Sequence, residues 1–347
     1  MNTGDPLISV IIPCRNEEMY ISACLDSLIS NDFPMEGLEI IIVDGMSDDC
    51  TSAVLFEYSK RFPFIRVFEN PKKITSSGLN LGIRESSGKY VAILGSHSIV
   101  DSNFLRFSVE GLDRHDVECV GGQILTIPVG QGIMADSISL ALSNPFGVGG
   151  ASFRTGPVRM KYADTVPFGC YRREVFKDGM NLFDEELIRN QDDEFNLRLR
   201  KSGGKILLIP EIRSYYYSRG TLRKLWRMYY QYGYFKPLVA KKVGGVLTGR
   251  QMAPPFFICA LFAAGALSLA EKNPVFIGLA IISYLIAAFL FSVRVSVKEG
   301  MRYLFTLPLN FATIHFSYGF GYLKGMLDFF LLKKDKRNGI KEPAITR

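Results

Sequence analysis

Three short runs in this chain concentrate the side chains able to do chemistry. Pro13-Cys14-Arg15-Asn16-Glu17-Glu18 closes one apolar run, Leu7–Pro13 (LISVIIP), and Asp44-Gly45-Met46-Ser47-Asp48-Asp49-Cys50-Thr51 follows another, Leu38–Val43 (LEIIIV). The third is Gln191-Asp192-Asp193-Glu194. Carboxylates in the first two runs suit base N–H groups and ribose hydroxyls, and loop amides suit base carbonyls. Taken singly, an Asp-Gly turn before a Ser/Asp/Thr helix cap is ordinary turn chemistry. An acidic run that opens a helix is likewise favoured by the helix dipole alone. What gives the chemical reading weight is the placement of the first two runs at one edge of a common scaffold.

That scaffold is legible as an alternation. The runs Leu7–Pro13, Leu38–Val43, Phe64–Glu69 and Lys89–Leu94 have the β-branched content of buried strands, and helical patterns over Glu18–Ile29, Thr51–Arg61 and Ser76–Ser86 separate them. Strand and helix in alternation predict an α/β fold with a mostly parallel sheet and right-handed crossovers. Ligands of such sheets bind at the carboxyl ends of strands, which directs attention to the loops after Ile12, Val43 and Leu94.

The ordered string PCRNEE, VDGMSDDCT, NPKKITSSGLNLGIRESSGKY, FGCYRREVF, NQDDEFNLRLRKSGGKI and QYGYFK resembles the family 2 glycosyltransferases. The likeness is strongest to their membrane-bound bacterial branch, which builds exopolysaccharides of the succinoglycan type, and it covers about residues 6–245. It implies a GT-A (nucleotide-diphospho-sugar transferase) fold, a nucleotide-sugar donor with UDP-sugars first in line, inversion at the anomeric carbon and a divalent metal, Mn²⁺ or Mg²⁺. Pro13, Asn16, Glu17 and Asp44 match positions that hold nucleobase and ribose, and Arg15 and Ser47 of the same loops join that set. Asp192 falls where the family has its general base. An acceptor hydroxyl must lose a proton as it attacks, and a carboxylate does this well once desolvation and neighbouring charge, here from Asp193 and Glu194, raise its pKa.

Two departures stand out. Where the family carries an Asp-x-Asp or Asp-x-His metal signature, this chain reads Gly95-Ser96-His97-Ser98. His97 keeps the place of a weak ligand, and Asp101 lies four residues on. The metal is held weakly, held by the diphosphate and His97, or absent. The stretch Gln231–Lys236 occupies the place of a Gln-x-x-Arg-Trp element, with Tyr234 and Phe235 standing for Arg and Trp. Arg227, Gln231, Tyr234 and Lys236, with Asp193, are expected along the acceptor and membrane interface, as a stacking floor and phosphate contact or as an anchoring belt.

The second half of the 347-residue chain has a different character. Its net charge of +7 is uneven, with eight Lys and Arg and no Asp or Glu between Arg219 and Arg250, interleaved with Trp226 and four tyrosines. Cations and rings before apolar segments suit a lipid headgroup layer, and those segments favour a membrane over nucleic acid as the partner. Ala253–Ala270, Pro274–Val293 and Tyr303–Leu323 each approach the ~20 helical residues that cross a bilayer core. Basic loops over residues 219–250 and 294–302 stay cytoplasmic by the positive-inside rule, giving two crossings and a third, ambiguous segment. The expected domains are a cytoplasmic catalytic region (1–218), interfacial helices (219–250), a membrane region (251–330) and a basic tail (331–347). The first strand carries no basic leader, so the catalytic region is expected in the cytoplasm, on a bacterial inner membrane and in a multi-pass chain. Six scattered cysteines fit reduced thiols.

The reading is transfer of a sugar from a nucleotide donor to a polyprenyl-linked glycan. A non-catalytic membrane scaffold, suggested by Gly95, and a processive synthase are the alternatives.

Overall fold

A computed structural model describes residues 6–155, 159–176, 182–245 and 248–334. Its contacts divide the chain into two units. One comprises Met1–Leu125 with Gly156–Tyr216, and the other Thr126–Thr155 with Tyr217–Arg347.

The first unit is built on a mixed sheet. In chain order its strands are β1 (Ile8–Cys14), β2 (Leu38–Asp44), β3 (Ile65–Glu69), β4 (Tyr90–Ile93), β5 (Ser98–Val100), β6 (Cys119–Ile127), β7 (Lys161–Tyr162), β8 (Cys170–Arg172) and β9 (Ile206–Tyr217). They lie in the order β3-β2-β1-β4-β8-β6-β9-β5, with β7 against β9. The pairs β3–β2, β2–β1 and β1–β4 are parallel, whereas β8 enters antiparallel to β4. Helices α1 (Ile21–Ile29), α2 (Thr51–Arg61), α3 (Thr75–Glu85), α4 (Phe104–Arg114) and α7 (Gln191–Lys201) accompany it.

Strand alternation explains why β1 and β2 are apolar on both faces. Ile8, Val10 and Ile12 with Ile40 and Ile42 join the cluster of Ile21, Leu25, Leu55, Phe104 and Leu112 from α1, α2 and α4. Ile11 and Val43, pointing the other way, receive α3 at Gly82. The four strands and three helices expected over residues 7–94 are all present, within a few residues of the sequence bounds.

The second unit is helical, containing α5 (Ile133–Leu142), α6 (Pro145–Val148), α8 (Leu222–Val243), α9 (Ala253–Ala270), α10 (Val275–Glu299) and α11 (Thr306–Met326). Residues 126–155 fall in this unit, although a single cut at residue 218 would assign them to the first. The cause is apolar burial: Ile138, Ala141 and Leu142 of α5 share a core with Leu225, Met228, Leu307, Phe311 and Ile314.

The three apolar stretches are not alike. Gly249–Ala270 and Val275–Glu299 are long and apolar enough to cross a membrane, and only 17% and 11% of their apolar windows are buried. Phe256, Phe262, Leu279, Leu285 and Leu290 stand exposed on them. Residues 294–299, expected as a loop, continue α10, so Arg294 and Lys298 sit on its last turns. The third stretch is packed instead. His315 bonds to Tyr284 (2.9 Å) and to the Phe146 carbonyl (2.7 Å), and α11 lies backbone-close on α8. A Cβ at Gly321 or Gly325 would collide with the carbonyls of Tyr230 and Tyr234, and one at Gly233 with that of Tyr318. Residues 335–347, most of the basic tail, lie outside the described residues.

Gly321→Val is therefore expected to destabilise this helix pair by about 1–3 kcal/mol, the cost of overpacking a close contact. Gly278→Val on α10, where nothing lies within 4 Å, serves as control. Thermal unfolding in detergent reads both. Equal midpoints would contradict the packing of α8 on α11.

Candidate functional site

The loops after β1 and β2 are latched to each other by reciprocal bonds. The Asn16 amide N–H donates to Ser47 Oγ (2.9 Å) and Asn16 Nδ2 to Asp48 Oδ1 (2.5 Å), while the Asp48 N–H returns to Asn16 Oδ1 (3.0 Å). Glu17 N–H donates to Thr51 Oγ1 (2.7 Å), and Cys50 N–H to Glu18 Oε2 (2.9 Å). Asp44, 6% exposed, accepts from Ser47 N–H (3.1 Å) and Oγ (2.6 Å) on one oxygen and from Ser52 Oγ (2.7 Å) on the other. Burial alone would raise the Asp49 carboxyl, but bonds from Thr51 and Glu18 outweigh it and hold it below the usual carboxylate range. The stability this adds is present above the unfolded value of about 3.9 and is lost as pH falls through the lower folded value.

Backbone conformation marks the same edge. Among the described residues, non-glycine residues with left-handed φ are Asn16 (55°), Met46 (56°), Lys73 (60°), Phe168 (47°) and Asn190 (61°) in the first unit, and Lys272 and Lys333 in the second. The first three follow β1, β2 and β3, Phe168 precedes β8 where it meets the end of β4, and Asn190 caps α7. Such conformations cost energy and gather where a ligand site dictates the backbone.

Unpaired polar atoms mark it again. Buried Arg15 Nε, His97 Nδ1 and Gln191 Oε1 have no hydrogen-bond partner. Leaving a buried polar atom unpaired costs about 1–3 kcal/mol, and of the ten such atoms among the described residues these three, at the strand ends and the start of α7, are placed to meet a polar ligand.

Asp192 and Asp193 lie in the first turn of α7, with Asp192 exposed and Asp193 half-buried. Glu194, expected to add charge beside Asp192, is 5% exposed and clamped by Arg198 at 2.9 Å to each oxygen. Its charge is compensated, which leaves Asp193 as the acidic neighbour from that run. One turn on, Asn196 accepts from buried Tyr171 (2.9 Å) and donates to Thr165 (2.8 Å), fixing α7 to the sheet. Burial first, and also the Asp192 charge, push the Tyr171 phenol well up. Tyr171, Asn196 and Thr165 escaped sequence reasoning, although Tyr171 sits inside the quoted FGCYRREVF string.

At the metal position the sequence departure has a physical counterpart. A Cβ at Gly95 would meet the Phe168 ring at 3.2 Å, so an aromatic covers the space of the missing carboxylate. His97 Nδ1 is 3.4 Å from Glu17 Oε1 and its ring meets Tyr216 edge-on. Strand β5 (Ser98–Val100) stands between His97 and Asp101, and the Asp101 carboxylate accepts from the Asn103 N–H (3.4 Å) at the start of α4. Among the described residues no group of three or more His, Cys, Asp or Glu could hold an ion. One imidazole and one carboxylate fit a divalent cation that draws its remaining ligands from water and a diphosphate.

Of the expected acceptor residues, Asp193 lies on α7 in the first unit, and Arg227, Gln231, Tyr234 and Lys236 lie on α8 in the second. Arg227 is exposed, Gln231 and Lys236 are buried, and Tyr234 donates to Asp328 (3.0 Å). Tyr234 is thus engaged in holding the end of α11, and Phe235 lies in the core against Phe329.

The model of the family described as glycosyl transferase family 2 matches residues 9–179. A dolichyl N-acetyl-α-D-glucosaminyl phosphate 3-β-D-2,3-diacetamido-2,3-dideoxy-β-D-glucuronosyltransferase of Methanococcus voltae is 32% identical over 327 residues, covering 92% of this chain and 97% of that protein. The succinoglycan biosynthesis protein ExoA of Rhizobium meliloti is 27% identical over 226 residues, 65% of this chain and 67% of that one. Among solved structures, the mannosyltransferase PcManGT of Pyrobaculum calidifontis, in complex with GDP-Man and Mn²⁺, superposes with a TM-score of 0.60 at 16% identity, covering 94% of this chain and 88% of that one. This likeness establishes the shared GT-A fold.

Proposed function

Because the chain belongs to glycosyl transferase family 2 and is a glycosyltransferase of GT-A fold, we propose that it moves a sugar from a nucleotide donor to a lipid-linked glycan by single, inverting displacement. The observation that carries the acceptor class is the extent of the match to the Methanococcus voltae enzyme, whose name gives a dolichyl-linked sugar phosphate as substrate. At 92% of this chain, that match must run on into the apolar helices.

In this reading Pro13, Arg15, Asn16, Asp44 and Ser47 hold base and ribose, with Glu17 in the same donor site beside His97, the donor being a UDP-sugar. Asp192 takes the proton of the acceptor hydroxyl as its oxygen bonds to the anomeric carbon. The bond from that carbon to the diphosphate breaks, and its electron pair leaves with the diphosphate. A bound divalent cation would supply positive charge to that leaving group. On the acceptor side, Asp193, Arg227, Gln231 and Lys236 belong to the proposed set, with Tyr234 in a supporting place. Exposed α9 and α10 anchor the enzyme to the membrane that holds its acceptor, with the catalytic unit on the cytoplasmic face. Gly95 under Phe168 favours a second reading, a member that binds donor without transfer.

A donor screen separates the two. Membranes containing the chain are incubated with radiolabelled UDP- and GDP-sugars, and label is counted in the organic extract. One donor is expected to label the lipid phase. Donor binding with no lipid label from any sugar nucleotide would favour the second reading.

A further inference from the structure

We propose that Glu17 and His97 together form the protein's share of a divalent-cation site, with Glu17 supplying the oxygen ligand that Gly95 does not. The inference rests on the nucleotide-sugar reading above and moves Glu17 from the base and ribose set to the diphosphate end.

Geometry is the first support. Glu17 Oε1 and His97 Nδ1 are 3.4 Å apart. Adjacent ligands of an octahedral ion with bonds of about 2.1 Å lie about 3 Å apart, so a shift of a few tenths of an ångström closes the chelate. Availability is the second. His97 Nδ1 is buried and makes no hydrogen bond, so it has no hydrogen-bond partner to give up on meeting an ion. The two side chains are 25% and 13% exposed, which partly desolvates both.

Preorganisation is the third support. The Glu17 N–H is held by Thr51, and its carbonyl accepts from Tyr20 and Ile21 at the start of α1. On the other side Tyr216 packs edge-on against the imidazole at 5.1 Å between centroids. Both donors therefore sit on fixed backbone with little to reorganise on binding. The Phe168 ring over Gly95 closes the route by which a carboxylate from β4 would reach the ion.

Two protein ligands are few. Binding should therefore depend on a diphosphate completing the shell, and an imidazole in that shell favours Mn²⁺ over Mg²⁺.

The test titrates Mn²⁺ into the full chain in detergent, reading free Mn²⁺ by electron paramagnetic resonance, with UDP, with GDP and without nucleotide. Calorimetry of UDP and GDP in excess chelator runs in parallel. The parent is expected to take up one Mn²⁺ when nucleotide is present, with Mg²⁺ a weak competitor. Glu17→Gln, which keeps size and backbone bonds, and His97→Ala should each weaken Mn²⁺ by at least the roughly 10–100-fold that loss of an outer-shell partner costs. Nucleotide binding in chelator should stay at the parental value for Glu17→Gln. Parental Mn²⁺ affinity in Glu17→Gln would overturn the proposal, as would loss of nucleotide binding in chelator, which returns Glu17 to the base and ribose. Nucleotide bound without any Mn²⁺ uptake overturns the cation site and leaves the transfer reading standing. No nucleotide bound under either condition overturns both.

Discussion

Asp192→Asn is expected to abolish sugar transfer while donor affinity stays near the parental value. The amide keeps the size of the side chain in the first turn of α7 but cannot take a proton. General-base catalysis contributes about 10²–10⁴-fold, which sets the scale of the loss. The surroundings should survive the change, because Asn196 is bonded to both Tyr171 and Thr165 and Glu194 to Arg198. Initial rates of transfer and donor titration by calorimetry, on the same preparation, read the two halves of the expectation. Near-parental turnover would remove Asp192 from the role. Asp193→Asn is the comparison that shows whether the neighbouring carboxylate acts instead.

The candidate edge was readable because it rests on local pattern. β-branched runs ending in Pro13 and Asp44 announce strands buried on both faces, and polar loops behind them fall at one sheet edge whatever the distant chain does. Contacts between residues far apart in sequence left no such trace. Nothing in the spacing of Glu17 and His97 announces 3.4 Å between them, and nothing in Gly95 announces the ring of Phe168 above it. Hydropathy likewise ranked Tyr303–Leu323 with the two exposed apolar helices. Its small residues Ser317, Gly321 and Gly325 recur every fourth position, the spacing that lets α11 lie on α8, and this was the available signal. Glu194 misled for a related reason: an acidic run looks like pooled charge until Arg198, one turn on, neutralises one member.

Asp44→Ala should weaken donor binding by about tenfold or more, since a hydrogen bond to a charged group is worth roughly 1.5–3 kcal/mol. The structure adds a complication that a control resolves. Asp44 also accepts from Ser47 and Ser52, so alanine loosens the loop as well as removing a ligand group. Asn at the same position keeps one acceptor oxygen for Ser47 and loses the charge. If Asp44 reaches the nucleotide as a carboxylate, Asp44→Asn and Asp44→Ala should both bind donor weakly. If it only shapes the turn, Asp44→Asn should bind like the parent, and the residue returns to a capping role. Calorimetric titration of UDP into both variants decides.

The central claim is that one sugar passes from nucleotide to lipid for each donor consumed. Its most direct test counts nucleoside diphosphate released and sugar recovered in the lipid extract, on purified chain with extracted lipid-linked acceptor and the donor found by screening. Equal amounts of the two are expected, with a product longer by one sugar and neither signal when acceptor is left out. Nucleoside diphosphate released without lipid-borne sugar, or a lipid product carrying a long polymer, would contradict it.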